Sequence, residues 1–234
     1  MDNEYQQLLN MYQREKAIHD CENIIGRLTY YMTAFLGEKI MTLWAERDDC
    51  SLEMPFAGYD GREGVKRFFL DVMGDRNNPE VYEKIRGVMC FTTLDAQVLE
   101  VAGDRMTARG TWYGPGCETY GKSAIYEEFR GTGFWSWQKT AADFIFENGE
   151  WRLWHLKFHQ IFRSEYFTPW TQMPDYKGWV LGPAKGDYIP QYLYKAYDSE
   201  CPQWDNIPVP MPYHTFTDVA PGYGRDVMRK EMGK

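Results

Sequence analysis

The chain lacks any run of about 18 apolar residues, so a membrane-spanning helix is not expected. Its start, MDNEYQQLLNMYQREK, has neither the basic region nor the apolar stretch of a secretory leader, and a cytoplasmic protein is the expectation. Basic residues are in deficit, 26 Lys and Arg against 34 Asp and Glu, for a net charge of −8. Nothing gathers Lys and Arg into one face, so neither nucleic acid nor an anionic membrane is an expected partner. Cysteine is scarce and odd in number: five residues, at 21, 50, 90, 117 and 201, with no CxxC pair. That disfavours a disulfide framework and a zinc site, and the thiols are read as reduced and mostly buried. The four histidines, at 19, 155, 159 and 214, form no HExxH motif. GxGxxG, Walker and GxSxG motifs are absent, as is any internal repeat. Any chemistry is therefore expected to run without a cofactor or a metal.

Aromatic residues are abundant instead. They make up 17% of the chain, with nine Trp and seventeen Tyr among 234 residues. Together with 44% hydrophobic and 26% charged residues, this excludes a disordered chain, a collagen-like repeat and a coiled coil. Aromatics beyond the needs of a core point to a deep apolar pocket, a large interface, or both.

Periodicity divides the chain. Cys21, Ile24, Ile25, Leu28, Met32, Phe35 and Leu36 recur at helical spacing and predict a helix over 17–36, stopped by Gly37. A short helix over 38–46 follows, then an alternating strand from Cys50 to Phe56, then a helix over about 62–73. Residues 87–101 read as β-rich, AGDR at 102–105 as a turn, and 106–113 as a strand. Residues 114–131 read as an irregular insertion with a helical turn at Ser123–Phe129. Residues 133–147 and 151–163 flank Asn148-Gly149, a hairpin signal. Three helices followed by long antiparallel strands predict an α+β fold, with helices packed on one face of a curved sheet.

Residues 164–234 differ from the rest. Nine of the twelve prolines and thirteen aromatics lie there, including Tyr188, Tyr213, Phe216 and Tyr223. Proline opposes regular structure and the aromatics oppose disorder, so an extended arm laid over its own domain or over a neighbouring subunit is expected. The division is thus an extension over 1–16, an α+β domain over 17–163 and the arm.

The segments CENIIGRLTYYMTAF, LWAERDDCSLEMPF and YDGREGVKRFF, with the closing hairpin DFIFENGEWRLWHLKFHQ, resemble SnoaL-like proteins of the nuclear transport factor 2-like superfamily. The resemblance spans 17–163. It implies a cone-shaped curved sheet wrapped around the first helix and enclosing a pocket. Relatives include noncatalytic binders, polyketide cyclases, ketosteroid isomerases and scytalone dehydratase, whose enzymes mostly use no cofactor. Superfamily members commonly form dimers or trimers, so a homo-oligomer is expected. The dehydratase machinery, histidines on middle strands and an Asp on helix 1, does not carry over. Residues 87–113 contain no His, with Met89 and Cys90 near the expected positions, and Thr33 or Ala34 stands near the expected Asp.

A cofactorless lyase or isomerase needs a base, a donor for the developing oxyanion, and walls that exclude water. The donor candidates are Tyr30 and Tyr31, late on the first helix, with Arg27 one turn earlier. The base candidates are Lys139, His155 and His159; His155, Lys157 and His159 alternate on one face of the last strand, opposite Trp154, Leu156 and Phe158. Both faces carry large apolar residues, so which one lines the pocket stays open. The wall candidates are Trp44, Met54, Phe56, Trp112, Trp135 and Trp137, with Arg109 on the face of Thr111. Asp48 and Asp49 read as turn residues, and Asp143 as a group that orients a histidine on the adjacent strand. Three functions fit. The first is a cofactor-independent lyase or isomerase (elimination, dehydration or retro-aldol) acting on an aromatic or polycyclic small molecule. The others are a noncatalytic binder of such molecules and an oligomeric interaction domain that uses the arm.

Overall fold

The structure, a computed structural model, describes residues 2–121, 131–172, 186–188, 190, 197–200, 207–217 and 222–224. The turn expected at Ser123–Phe129 and the arm residues Tyr176, Trp179, Tyr192, Tyr194 and Trp204 lie outside them.

Helix α1 runs Asp2–Thr33, beginning well before the apolar periodicity does. Its first half is exposed at Tyr5, Leu8, Met11 and Tyr12, and is tied to the strands by Arg14–Glu100 at 2.8 Å. From Ala17 onward the stripe Cys21, Ile24, Ile25 and Leu28 is buried. Gly37 does not stop this helix; Phe35 turns the chain at φ 53°. Gly37 opens α2 (Gly37–Met41), where a Cβ would meet the Phe69 carbonyl oxygen at 2.5 Å, so close packing requires the glycine. Strands β1 (Ser51–Glu53) and β2 (Gly58–Asp60) form a short hairpin in place of one strand. Helix α3 (Gly61–Arg67) continues into a π turn over Phe68–Val72. Helix α4 (Pro79–Ile85) was not visible as periodicity, because it buries no residue.

The remaining strands are β3 (Met89–Thr92), β4 (Asp95–Val101), β5 (Thr107–Thr119), β6 (Gly133–Glu147) and β7 (Glu150–Glu165). The order is β2-β1-β7-β6-β5-β3, with β4 also paired to β5; β1 pairs parallel to β7 and the other pairings are antiparallel. Asn148 and Gly149, at φ 51° and 82°, make the two-residue hairpin turn their sequence predicted. Strand β5 continues through Gly114, Pro115 and Gly116, where an irregular insertion was expected. The glycines there answer a steric demand. The β3–β4 corner folds onto β5, the Thr93 N–H donates to the Pro115 carbonyl at 3.0 Å, and a Cβ on Gly114 would meet the Thr93 carbonyl oxygen at 1.9 Å.

The concave face packs Trp112, Ala142, Phe144, Leu153, Leu156 and Phe158 against α1. Truncating one of these large side chains to Ala would cost about 2–5 kcal/mol. The described parts of the arm cover this chain's own sheet. Residues 187 and 188 exchange backbone hydrogen bonds with Gly58, protecting the β2 edge. Ile207 and Tyr223 bury Ala141 on the convex face. Among the described residues, no helix is long and apolar enough to cross a membrane.

Candidate functional site

Between the end of α1, the π turn, α4 and the concave sheet face lies a cavity of about 330 Å³. The β1–β2 hairpin supplies Met54, Pro55 and Phe56; α1 supplies Met32 and Phe35; the π turn supplies Phe68 and Val72; α4 supplies Val81 and Ile85. Four thioethers, Met32, Met54, Met73 and Met89, make much of this wall soft and adaptable. The sheet adds the polar groups Glu118, Tyr120, Gln138 and Gln160, with Cys90 and Thr92 on β3.

Side-chain alternation explains which residues look inward. Cross-strand pairs share a face, and the register pairs Glu118 with Phe134, and Gln138 with Gln160. A register shift at Trp137/Gln138 then brings Arg163 opposite Ser136. Arg163 is fully buried, and its Nη2 lies 2.8 Å from Glu118 Oε2. Its Nε also donates to Oε2, at 3.2 Å, and so does the Tyr120 hydroxyl, at 3.0 Å. All three donors converge on Oε2. Among the described residues, Oε1 of the same carboxylate has no hydrogen-bond partner, and Glu118 keeps 21% of its side-chain surface, on the cavity side. The anion is thus anchored through one oxygen and open through the other.

Burial first, and then the negative charge of Glu118, push the Tyr120 phenol well above its ordinary range, so it stays a neutral donor. Burial, reinforced by Glu118 and Cys117, pushes the Cys90 thiol up to about 12. Cys90 therefore lines the cavity as a neutral thiol and not as a nucleophile. Gln138 and Gln160 are each 7% exposed, and among the described residues neither side-chain amide has a hydrogen-bond partner.

Of the residues singled out from sequence, Met54 and Phe56 line the cavity. The placement of the others is corrected. Tyr30 points to solvent with 79% exposure, and Arg27 is exposed too, because the buried stripe of α1 passes through Ile24, Ile25 and Leu28 instead. Tyr31 is half-buried against the core, with Lys39 over its ring. Trp44 and Trp112 are core residues; the Trp112 indole donates to Gln97 at 2.8 Å. Trp135 and Trp137 lie on the convex face, where Trp135 packs edge-on to Phe162 and Trp170 and Trp137 is exposed.

Lys139, His155, Lys157, His159 and Arg109 also lie on the convex face, away from the cavity. There the arm buries them. Lys139 Nζ donates to the Ile207 carbonyl oxygen. Lys157 pairs with Glu53, which also accepts from the Tyr188 hydroxyl at 2.9 Å. Arg109 lies between the rings of Tyr213 and Phe216 and 3.5 Å from Asp143. His155 Nδ1 is 2.8 Å from Asp143 Oδ2, the pairing expected of Asp143, and Nε2 is 3.1 Å from the Asp49 carbonyl oxygen. Both ring nitrogens face oxygen acceptors, so neither is left to take a proton from a substrate. His159 flanks a void of about 10 Å³ beside Pro190 and Ile207. Asp49 serves the turn: the Arg47 guanidinium bonded to it, and then the Trp154 indole, hold its carboxyl below the usual range.

Alternation puts Glu118 on the face of Trp112 and Gln138 on the face of Phe144, but only the structure shows that this face is the concave one. The irregular reading of 114–131 hid Glu118. Among the described residues, no group of three or more His, Cys, Asp or Glu is placed to hold a metal ion.

No family model and no curated protein matches the chain at sequence level. Solved structures match it in fold. A protein provisionally assigned as a scytalone dehydratase, from Novosphingobium aromaticivorans, aligns at 12% identity and TM-score 0.51, over 68% of this chain and 93% of its own. LinA aligns at 11% identity and TM-score 0.52, over 68% of this chain and 99% of its own. A nuclear transport factor 2-like superfamily protein from Salmonella enterica aligns at 14% identity and TM-score 0.49, over 62% of this chain and 92% of its own. The helices, the curved mixed sheet and the first two of these alignments show that the chain shares its α+β fold with the dehydratase-like protein and LinA.

Proposed function

We propose that the chain is a cofactor-independent lyase or isomerase, acting on a hydrophobic aromatic or polycyclic small molecule held in the concave cavity. The observation that carries this reading is the open Oε1 of Glu118 in a largely apolar cavity, with Oε2 fixed by Arg163 and Tyr120. A carboxylate so placed is a general base. Its Oε1 takes a proton from a carbon acid of the ligand. The electron pair left behind either expels a leaving group from the adjacent carbon or moves onto a conjugated oxygen. In an elimination the proton leaves with the base; in an isomerisation it returns to another carbon. Arg163 orients the carboxylate through two N–H donors, and the neutral Tyr120 phenol donates to the same oxygen. One of the proteins sharing the fold is named as a dehydratase, an elimination of this class.

The test uses 2-indanone, a bicyclic ketone with acidic α-protons, in D2O. Its α-proton exchange is followed by proton NMR. The chain is expected to accelerate exchange over buffer, and Glu118→Gln to remove about 10²–10⁴-fold of that acceleration, the usual contribution of a positioned base. Exchange insensitive to Glu118→Gln would overturn the assignment of the base. Binding without exchange would favour the noncatalytic binder.

A further inference from the structure

We propose that the cavity takes an oxygen-bearing apolar molecule, and that Gln138 and Gln160 are the specificity-determining residues that hold its oxygen. The inference rests on the cavity being the working site, and it adds the chemical class of the ligand.

The two amides stand directly opposite each other across β6 and β7. Opposed residues on one face of an antiparallel pair hold their Cβ atoms about 5 Å apart, so both amides can reach one ligand atom. Both are more than nine-tenths buried, both line the cavity, and among the described residues neither amide has a hydrogen-bond partner. The amide groups open onto the cavity, so a ligand oxygen can take the place of water on their N–H groups. Here two stand side by side in a wall made largely of Met, Phe, Val and Ile, whose other polar groups include Asp71, Lys84, Thr92, Glu118 and Tyr120.

A second observation extends the row. Thr140, the next inward-facing residue on β6, is 1% exposed, and among the described residues its hydroxyl has no hydrogen-bond partner. It borders a small void of about 20 Å³ beside Leu28 and Thr29, and that void shares Met32, Cys90, Thr92 and Phe158 with the main cavity. An inward row of polar groups thus runs from the cavity toward the core, open to the cavity at the two glutamines and closed off at Thr140, on the face that carries the Glu118 base.

The chemistry that satisfies two amide N–H groups at one point is a carbonyl, hydroxyl or carboxylate oxygen. A hydrocarbon or an alkyl halide leaves them unpaired. Gln138 pairs in register with Gly114, and Glu118 lies four residues further along β5, about 13 Å of strand at 3.3 Å per residue. Side chains reaching inward from both positions hold a ligand at two points: oxygen at the glutamines, carbon acid at the carboxylate.

The experiment compares 2-indanone with indane, the same skeleton without the oxygen, by ligand-observed NMR titration. For the native chain, two hydrogen bonds predict about 10–100-fold tighter binding of the ketone. In Gln138→Met/Gln160→Met that preference is expected to disappear, with indane affinity unchanged or increased and thermal stability unchanged or increased. Gln160→Met alone is expected to lose part of the preference, which keeps the test decisive if the double variant does not fold. Equal affinity of the native chain for the two probes, or equal loss of both in the variants, overturns the inference and leaves the cavity reading intact. If neither probe binds, both fall. If the preference is present but exchange is absent, only the assignment of the base falls.

Discussion

Replacing Asp143 with Asn would test whether the arm is fastened to the sheet through one buried carboxylate. Asp143 is 0% exposed. Its Oδ2 faces His155 Nδ1 at 2.8 Å and accepts the backbone N–H of Tyr223, while Oδ1 faces Arg109 Nε at 3.5 Å. Asparagine has the same shape but carries an NH2 on one side. In one orientation that NH2 meets Tyr223 and His155; in the other it meets the donor-only guanidinium of Arg109. No rotamer satisfies the site, and the compensating charge is gone. Removing one partner of a buried charged cluster costs about 3–5 kcal/mol. For a chain of this size each kcal/mol moves the melting temperature by about 2–4 °C, so Asp143→Asn should melt roughly 6–20 °C lower. The assay is scanning calorimetry joined to limited proteolysis, and the arm of the variant should be cut faster than the arm of the native chain. Because Asp143 lies on the convex face, 2-indanone affinity should stay within about twofold at temperatures where the variant is folded, a change too small to amount to one lost hydrogen bond. A melting point within about 2 °C of native, less than the shift for one kcal/mol, would refute the fastening argument.

Three further outcomes follow from the same geometry. Cys90, its thiol pushed up to about 12, should have on the order of 10⁻⁴ or less of thiolate at pH 7.5. Peptide mass spectrometry should find it alkylated by iodoacetamide far more slowly than in the unfolded chain, and rapid labelling would contradict the half-buried, neutral thiol. Tyr120 is raised in the folded state, so its contribution is fully present below the ordinary tyrosine pKa of about 10 and is lost as pH rises above it. Urea midpoints should therefore fall above that pH, and fall less steeply in Tyr120→Phe; equal slopes would remove Tyr120 from the account. Gly114→Ala places a methyl 1.9 Å from the Thr93 carbonyl oxygen and should cost about 1–3 kcal/mol, read as a lower urea midpoint; an unchanged midpoint would mean that the β3–β4 corner does not press on β5.

What the sequence made legible followed from short-range rules. The hairpin at Asn148-Gly149, the turn at 102–105 and the buried stripe of α1 all came from turn chemistry and periodicity, and the resemblance supplied the curved sheet. The site was harder to read. Strand alternation places His155, Lys157 and His159 on one face but does not say which face is concave, because both faces of the strand carry large apolar residues; the bulge at Trp154, which turns its ring onto His155 and Phe216, is also invisible to it. The polar row looked functional because buried basic residues are rare. They are buried here by the arm, whose Ile207, Tyr213, Phe216 and Tyr223 meet Lys139, Arg109, Trp154 and Asp143 across long sequence separations that no local rule reports. The register shift at Trp137/Gln138, which helps bring Arg163 to the concave face beside Glu118, is likewise set by tertiary pairing.

The central claim is that ligands are held on the concave face. A crystal structure of the chain grown with 2-indanone tests it most directly. The account predicts the ketone between the Met54–Phe56 wall and Cys90, its oxygen at Gln138 and Gln160 and its α-carbon toward Glu118 Oε1. A ketone seated instead on the convex face, against Lys139 or His155, would contradict it.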